Sequence, residues 1–93
     1  MSDSKTYHGV TQAIFDCVKQ TSEKEHGTVY SPNGNKGTST TSGTGWEVKM
    51  DFDFNPVSGD LYYKITHKTW IVPVASVWDG IESTINGCRK KAA

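Results

Sequence analysis

The sequence predicts a single α+β domain in which two helices pack on one face of a three-stranded antiparallel sheet. Two stretches of helical periodicity lie near the two ends of the 93-residue chain. Between them lies a long segment in which apolar and polar residues alternate, as they do in half-buried strands. A short stretch of β-branched and aromatic residues precedes that segment and adds one more strand. The predicted order is therefore α-β-β-β-α, over residues 1–93.

The first helix is predicted from about Lys5 to Glu23. Ser4 is placed as its N-cap, and His26-Gly27 supplies a typical stop. Phe15 falls at the flank of the apolar stripe. The stripe itself, at 3.6-residue spacing, consists of Tyr7, Val10, Ile14, Cys17, Val18 and Thr21.

The next segment contains one predicted strand and one predicted loop. Residues 28–31, Thr-Val-Tyr-Ser, form the strand, bounded by Gly27 and Pro32. Residues 32–45 contain no apolar side chain apart from the proline ring, and they are rich in Gly, Ser, Thr and Asn. Such a segment buries too little surface to offset its ordering entropy, so a flexible loop is predicted there.

The central hairpin follows from strict alternation between Trp46 and Phe54 and a second alternating run from Leu61. The turn residues Asn55–Asp60 lie between the two runs. The second run ends before Pro73, because proline cannot continue a ladder. Pairing Phe54 with Leu61 predicts the inward pairs Phe52–Tyr63, Met50–Ile65 and Val48–His67, and the outward pairs Asp51–Lys64 and Glu47–Lys68.

The second helix is predicted to begin at Ser76, which acts as an N-cap with Asp79 three residues later. Three intervening strands make both helices run in the same direction. This arrangement brings Cys17 and Cys88 close together, either as two buried thiols or as a disulfide. The inward face of the helix is predicted to carry Val77, Trp78, Ile81, Thr84, Ile85 and Cys88.

Composition limits the classes of function. Ten basic and ten acidic residues cancel, so the chain has no global charge that would attract nucleic acid or an anionic membrane. No apolar run approaches the ~20 residues that span a bilayer. We expect a soluble cytoplasmic protein without a membrane partner, with secretion after processing as the alternative.

Motifs for catalysis are missing from the sequence. The glycine-rich segment around Lys36 lacks the order of residues in a phosphate-binding loop. His8, His26 and His67 have no metal-like spacing to other ligand residues. Asp53 shares the solvated, charged strand face of Asp51 rather than a cleft. We therefore expect no enzyme, no metal and no cofactor.

The order α-β-β-β-α is similar to that of double-stranded RNA-binding domains. That family grips phosphates with lysines at the start of its second helix. The matching stretch here is Ser76-Val77-Trp78-Asp79, with Glu82 beyond it, and it has no basic residue. The resemblance makes nucleic-acid binding the alternative function, through Lys36 and the basic tail Arg89–Lys91, although the missing lysines tell against it.

The outward face of the hairpin is the predicted binding site. Aromatic side chains among mixed charges are typical of protein-interaction surfaces. We expect a non-catalytic module that binds a protein partner or a second copy of itself through this face or through the sheet edge. An ordinary solvated sheet face would show the same pattern. The candidate residues are Lys49, Asp51, Tyr62, Lys64, Lys68 and Trp70.

Overall fold

A five-stranded antiparallel sheet with two helices on one face forms the fold, in a computed structural model that describes residues 3–92. The predicted three-stranded sheet and the order α-β-β-β-α are wrong, since the observed order is β-α-β-β-β-β-α. The strands are arranged in the sheet as β1-β5-β4-β3-β2. The elements are β1 (Ser4–Tyr7), α1 (Gln12–His26), β2 (Val29–Ser31), β3 (Lys36–Gly43), β4 (Trp46–Asn55), β5 (Asp60–Lys68) and α2 (Val74–Ala92).

Strand β1 occupies the first part of the predicted helix. It pairs with β5, so that Tyr7 lies opposite Leu61. Gly9 then adopts a φ of 67°, which a helix interior does not allow, and α1 begins after Thr11. The side chain of Thr11, not that of Ser4, caps the helix by accepting a hydrogen bond from the backbone N–H of Ile14.

The C-terminal end of α1 confirms the predicted stop. Gly27 has a φ of 67°, its backbone N–H donates to the carbonyl of Glu23, and the backbone N–H of Thr28 donates to the carbonyl of Ser22. Phe15, which was predicted at the helix flank, is fully buried instead. Its ring centroid lies 4.9 Å from that of Phe54 and 5.8 Å from that of Phe52. Phe15 therefore lies at the centre of the core.

Strand β3 is the largest departure from the sequence-based expectation. The predicted first strand is confirmed as β2, but most of the predicted flexible loop, 32–45, is an eight-residue strand. This strand pairs with β2 on one side and β4 on the other. Backbone pairing on both sides and the β-branched threonines stabilise it without large apolar side chains. Ser39 is its buried residue.

The β4–β5 hairpin has the predicted register in its first half. The pairs Phe54–Leu61, Phe52–Tyr63, Met50–Ile65 and Asp51–Lys64 are confirmed. An irregularity between Lys49 and Met50 then shifts the register, leaving Thr66 as the extra residue. Val48 consequently lies opposite Lys68, and Lys49 opposite His67, so the predicted pairs Val48–His67 and Glu47–Lys68 are wrong.

Helix α2 begins at Val74, two residues before the predicted cap Ser76. The backbone N–H groups of Ser76 and Val77 donate to the carbonyl of Pro73. The predicted inward face is confirmed where Trp78, Ile85 and Cys88 are buried. Neither helix of residues 3–92 combines the length and the apolar character needed to cross a membrane.

The two helices run antiparallel, not in the same direction. Four strands separate them, and each strand reverses the direction of the chain. Cys17, near the start of α1, meets Cys88, near the end of α2, with a Cα–Cα distance of 5.8 Å. The two sulfurs form a disulfide. The expected proximity of the cysteines is confirmed. Of the two alternatives, the structure has the disulfide and not the pair of free thiols.

Candidate ligand-binding cavity

A cavity of about 260 Å³ lies between the inner face of the sheet, the C-terminal end of α1 and the N-terminal half of α2. Its apolar walls come from β4, from the segment before α2 and from α2 itself. These apolar residues are Trp46, Val48, Met50, Val72, Val77 and Ile81. Hydroxyl groups complete the walls, from Ser22, Thr28, Tyr30, Ser39, Thr41, Tyr63, Ser76 and Thr84.

The cavity exists because the wall on one side carries small side chains. Strand β3 contributes only Ser39 and Thr41, next to the larger Val48 and Met50 of β4. Helix α2 contributes Gly80, which has no side chain. Strand β3, which was not predicted from the sequence, therefore leaves the space that forms the cavity.

Four of the hydroxyl groups of the cavity form two hydrogen-bonded pairs. The hydroxyl oxygens of Tyr30 and Tyr63 are 2.9 Å apart, and those of Thr28 and Thr41 are 2.6 Å apart. Burial raises the pKa of the Tyr63 phenol well above its usual value, and burial also raises the pKa of Tyr30. Both phenols are therefore neutral at physiological pH. They can donate to or accept from a ligand at the cost of rearranging one shared hydrogen bond.

The cavity has no wall residue with a permanent charge. Among the described residues that line it there is no Asp, Glu, Lys or Arg, and His26 is the single histidine. A buried carboxylate or phosphate of a ligand would therefore find no opposite charge, and its desolvation would go uncompensated. Exposed wall residues mark the mouth, which lies between His26 at the end of α1 and Ser76 and Gly80 on α2.

The six residues of the predicted binding site lie elsewhere. Lys49, Asp51, Tyr62 and Lys64 lie together on the outward sheet face, opposite the helices. Lys68 and Trp70 do not join them. The register shift places Lys68 opposite the inward residue Val48, and Trp70 lies beyond the end of β5. None of the six lines the cavity. A role in protein contact stays a prediction for this face.

A histidine–aspartate pair lies outside the cavity. His8 Nδ1 and Asp60 Oδ1 are 2.7 Å apart, and this hydrogen bond lowers the pKa of Asp60. The pair is exposed, and the hydroxyl of Ser58 bonds to Asp60 rather than to the histidine. It therefore lacks the nucleophile that a histidine–aspartate pair activates in hydrolases. Over residues 3–92, no group of three His, Cys, Asp or Glu is arranged to hold a metal ion.

The residues of the cavity could not be recognised from the sequence. Tyr30 and Tyr63 lie on different strands, and the polar wall belongs to a segment without hydrophobic periodicity. Comparison with protein families, curated proteins and solved structures finds no match to this chain.

Proposed function

We propose that the protein binds a small, neutral, largely apolar molecule in the cavity between its sheet and its helices. The observation that carries this proposal is the cavity of about 260 Å³ with walls of apolar side chains and uncharged hydroxyls. A dry apolar cavity of about 150 Å³ accommodates one benzene ring. The volume here therefore suits a ligand of about one to two rings, near the lower end of small-molecule sites.

The ligand has one or two polar groups of the hydroxyl or carbonyl type. Tyr63 is almost wholly buried, and its phenol, together with that of Tyr30, offers the deepest polar contact in the cavity. Convergent hydroxyls in an otherwise apolar pocket fix the orientation of a ligand without requiring a charge. Thr28 and Thr41 offer a second such pair.

Naphthol tests the proposal, because it is bicyclic, neutral and fluorescent and carries one hydroxyl. We expect its emission to change on titration with the protein. Naphthoate has the same rings with a carboxylate, and we expect it to bind at least about tenfold more weakly, equivalent to 1.4 kcal/mol.

A pair of variants in β3 locates the binding. Ser39→Leu places a larger side chain in the cavity, and we expect it to abolish naphthol binding. Thr38→Leu adds the same side chain to the opposite face of the same strand and should leave binding unchanged. Equal binding by both variants, or equal affinity for naphthol and naphthoate, would place the ligand outside the cavity and refute the proposal.

We also propose that the protein functions in an oxidising compartment. The Cys17–Cys88 disulfide supports this location, because cytosolic thiols are kept reduced. This proposal replaces the cytoplasmic location that was expected from the sequence.

A further inference from the structure

We propose that the turn formed by Thr69–Val72 docks on the surface of a lipid bilayer. This contact is separate from ligand binding and does not depend on whether the cavity is occupied. The sequence-based expectation of no membrane partner rested on the absence of a spanning segment and of a net charge. Neither consideration applies to a peripheral contact through one exposed turn.

The turn presents two large apolar side chains to solvent. Trp70 is 87% exposed and Ile71 is 49% exposed. They are neighbours at the tip, since the backbone N–H of Val72 donates to the carbonyl of Thr69 across 3.0 Å and closes the turn around them. Tryptophan and tyrosine are enriched at the interface between a bilayer and water. An exposed tryptophan beside an exposed isoleucine suits shallow insertion among lipid headgroups.

The base of the turn is held firmly to the sheet. The backbone N–H of Thr69 donates to the carbonyl of Glu47 across 2.9 Å, and its hydroxyl accepts from the Glu47 N–H across 2.8 Å. The tip therefore projects from an ordered base, and little conformational entropy is lost when it inserts.

Lys68 supplies one positive charge at the base of the turn. Lys68 Nζ donates to the carbonyl of Thr69 across 3.4 Å, and within the described chain no carboxylate lies at ion-pair distance from it. Glu47, the nearest acidic residue in the ladder, is approached at 3.9 Å by Lys49 and by His67. The other acidic residues of β4, β5 and α2 are Asp51, Asp53, Asp60, Asp79 and Glu82. A lysine at the base of an apolar tip is suited to contact with phosphate headgroups.

The turn also adjoins the mouth of the cavity. Val72, which closes the turn, lines the cavity, and so does Ser76 in the first turn of α2. A bilayer contact at Trp70 would thus bring the cavity mouth towards the lipid surface, where neutral apolar molecules concentrate. The surface proposed here is the bilayer itself, and the cavity ligand need not be a lipid.

Flotation with vesicles tests the inference on the oxidised full chain. We expect the protein to float with vesicles of phosphatidylcholine mixed with phosphatidylserine. Trp70→Ser should lower the partition coefficient on the order of tenfold, and Ile71→Ser should lower it by a smaller factor. Val57→Ser is the matched control, since Val57 is 95% exposed at the opposite end of the hairpin, and it should float like the wild type.

Further variants distinguish membrane binding from three other effects: the charge of Lys68, self-association of the chain and ligand binding in the cavity. Lys68→Gln should weaken flotation with the mixed vesicles but not with phosphatidylcholine alone. Ser39→Leu should float normally, and Trp70→Ser should still bind naphthol, so the failure of one proposal is distinguishable from the failure of the other. Absence of flotation, or equal loss in Val57→Ser, would overturn the inference. The inference would also be overturned if, without vesicles, Trp70→Ser had a lower molecular mass by sedimentation than the wild type. The turn would then contact a second copy of the chain rather than a bilayer.

Discussion

Glu82 connects the first strand to the last helix through two side chains of β1. Its Oε2 lies 3.2 Å from Lys5 Nζ and 3.2 Å from the hydroxyl of Tyr7. Both contacts favour the ionised carboxylate, and the hydrogen bonds from Lys5 and Tyr7 lower the pKa of Glu82. Burial and the neighbouring carboxylate together raise the pKa of Tyr7. These contacts of Glu82 could not be predicted, because β1 was not predicted as a strand.

The lowered pKa of Glu82 predicts a pH-dependent contribution to stability. Since the folded pKa lies below the unfolded one, the contribution is fully present above the unfolded pKa and is lost as the pH falls through the folded pKa. We expect Glu82→Gln to unfold at lower denaturant concentration than the wild type at neutral pH, with the difference shrinking on acidification. Denaturation curves at several pH values measure this change.

Glu25→Gln provides the control for the pH series. Glu25 is exposed on α1 and has no partner among the contacts of residues 3–92. Its substitution should leave the pH dependence as it is. A difference between Glu82→Gln and the wild type that stays constant into acid would show that the carboxylate charge is not what joins β1 to α2.

At the scale of elements, hydrophobic periodicity decided which strands could be predicted. The alternation along β4 and β5 reports directly which residues face the core, and it gave the register up to the irregularity at Lys49. Strand β1 was hidden because Tyr7 also fits a helical stripe, and only its pairing with Leu61 identifies it as a strand. Strand β3 was hidden because its core-facing residues are Ser and Thr.

The candidate cavity could not be predicted from the sequence either, because one of its walls is β3. A cavity forms where side chains fail to fill space, and this can be judged only when all opposing elements are known. Ser39 and Gly80 can be recognised as cavity-lining residues only when it is known that β3 lies beside β4 and that α2 packs over both strands. The outward face, by contrast, could be predicted from alternation, and Tyr62 and Lys64 lie there.

Proline substitutions test whether the polar segment is a strand. Thr40 in β3 lies opposite Val29 on one side and Lys49 on the other, so its backbone N–H faces a paired neighbour in either direction. We expect Thr40→Pro to remove one ladder hydrogen bond and to lower the free energy of unfolding by at least about 1–3 kcal/mol. Urea denaturation measures the loss.

A proline in the following turn is the matched control. Gly45 has a φ of 80°, whereas Thr44, like every other non-glycine residue of the described chain, has no positive φ. A negative φ followed by a positive φ is the pattern of a type II turn with 44–45 as its central residues. Proline is favoured at the first central position of such a turn, so Thr44→Pro should change stability little. If Thr40→Pro were equally neutral, the segment would behave as a loop and the five-stranded sheet would be in doubt.

For the whole molecule, two errors in the sequence-based topology cancelled at the disulfide. The missing β3 reversed the expected direction of α2, and the helix start predicted at Lys5 placed Cys17 towards the wrong end of α1. The cysteines therefore meet in the antiparallel arrangement as they would have met in the predicted parallel one. Proximity of two residues is a weaker test of topology than the direction of the elements that carry them.

The disulfide should contribute strongly to the stability of so small a protein. It closes a segment with a sequence separation of 71, and the chain-entropy relation gives about 4 kcal/mol for a loop of that length. We expect the double variant Cys17→Ala, Cys88→Ala to lose about 3–5 kcal/mol of unfolding free energy. Chemical denaturation of the oxidised and variant proteins measures the difference.

Reduction of the wild type separates the bond from the packing of its sulfurs. The reduced protein keeps both cysteine side chains, so its loss of stability reports the crosslink alone. A loss below about 1 kcal/mol on reduction would mean that the disulfide does not constrain the unfolded chain as the entropy relation requires.

The position of the disulfide also determines what a single proteolytic cut produces. Every turn between α1 and α2 lies within the segment that Cys17 and Cys88 close. A single cut in any of these turns leaves two peptides that are still joined through the sulfurs. A clipped molecule thus keeps both walls of the cavity in one covalent unit, heavier than the intact chain by one water.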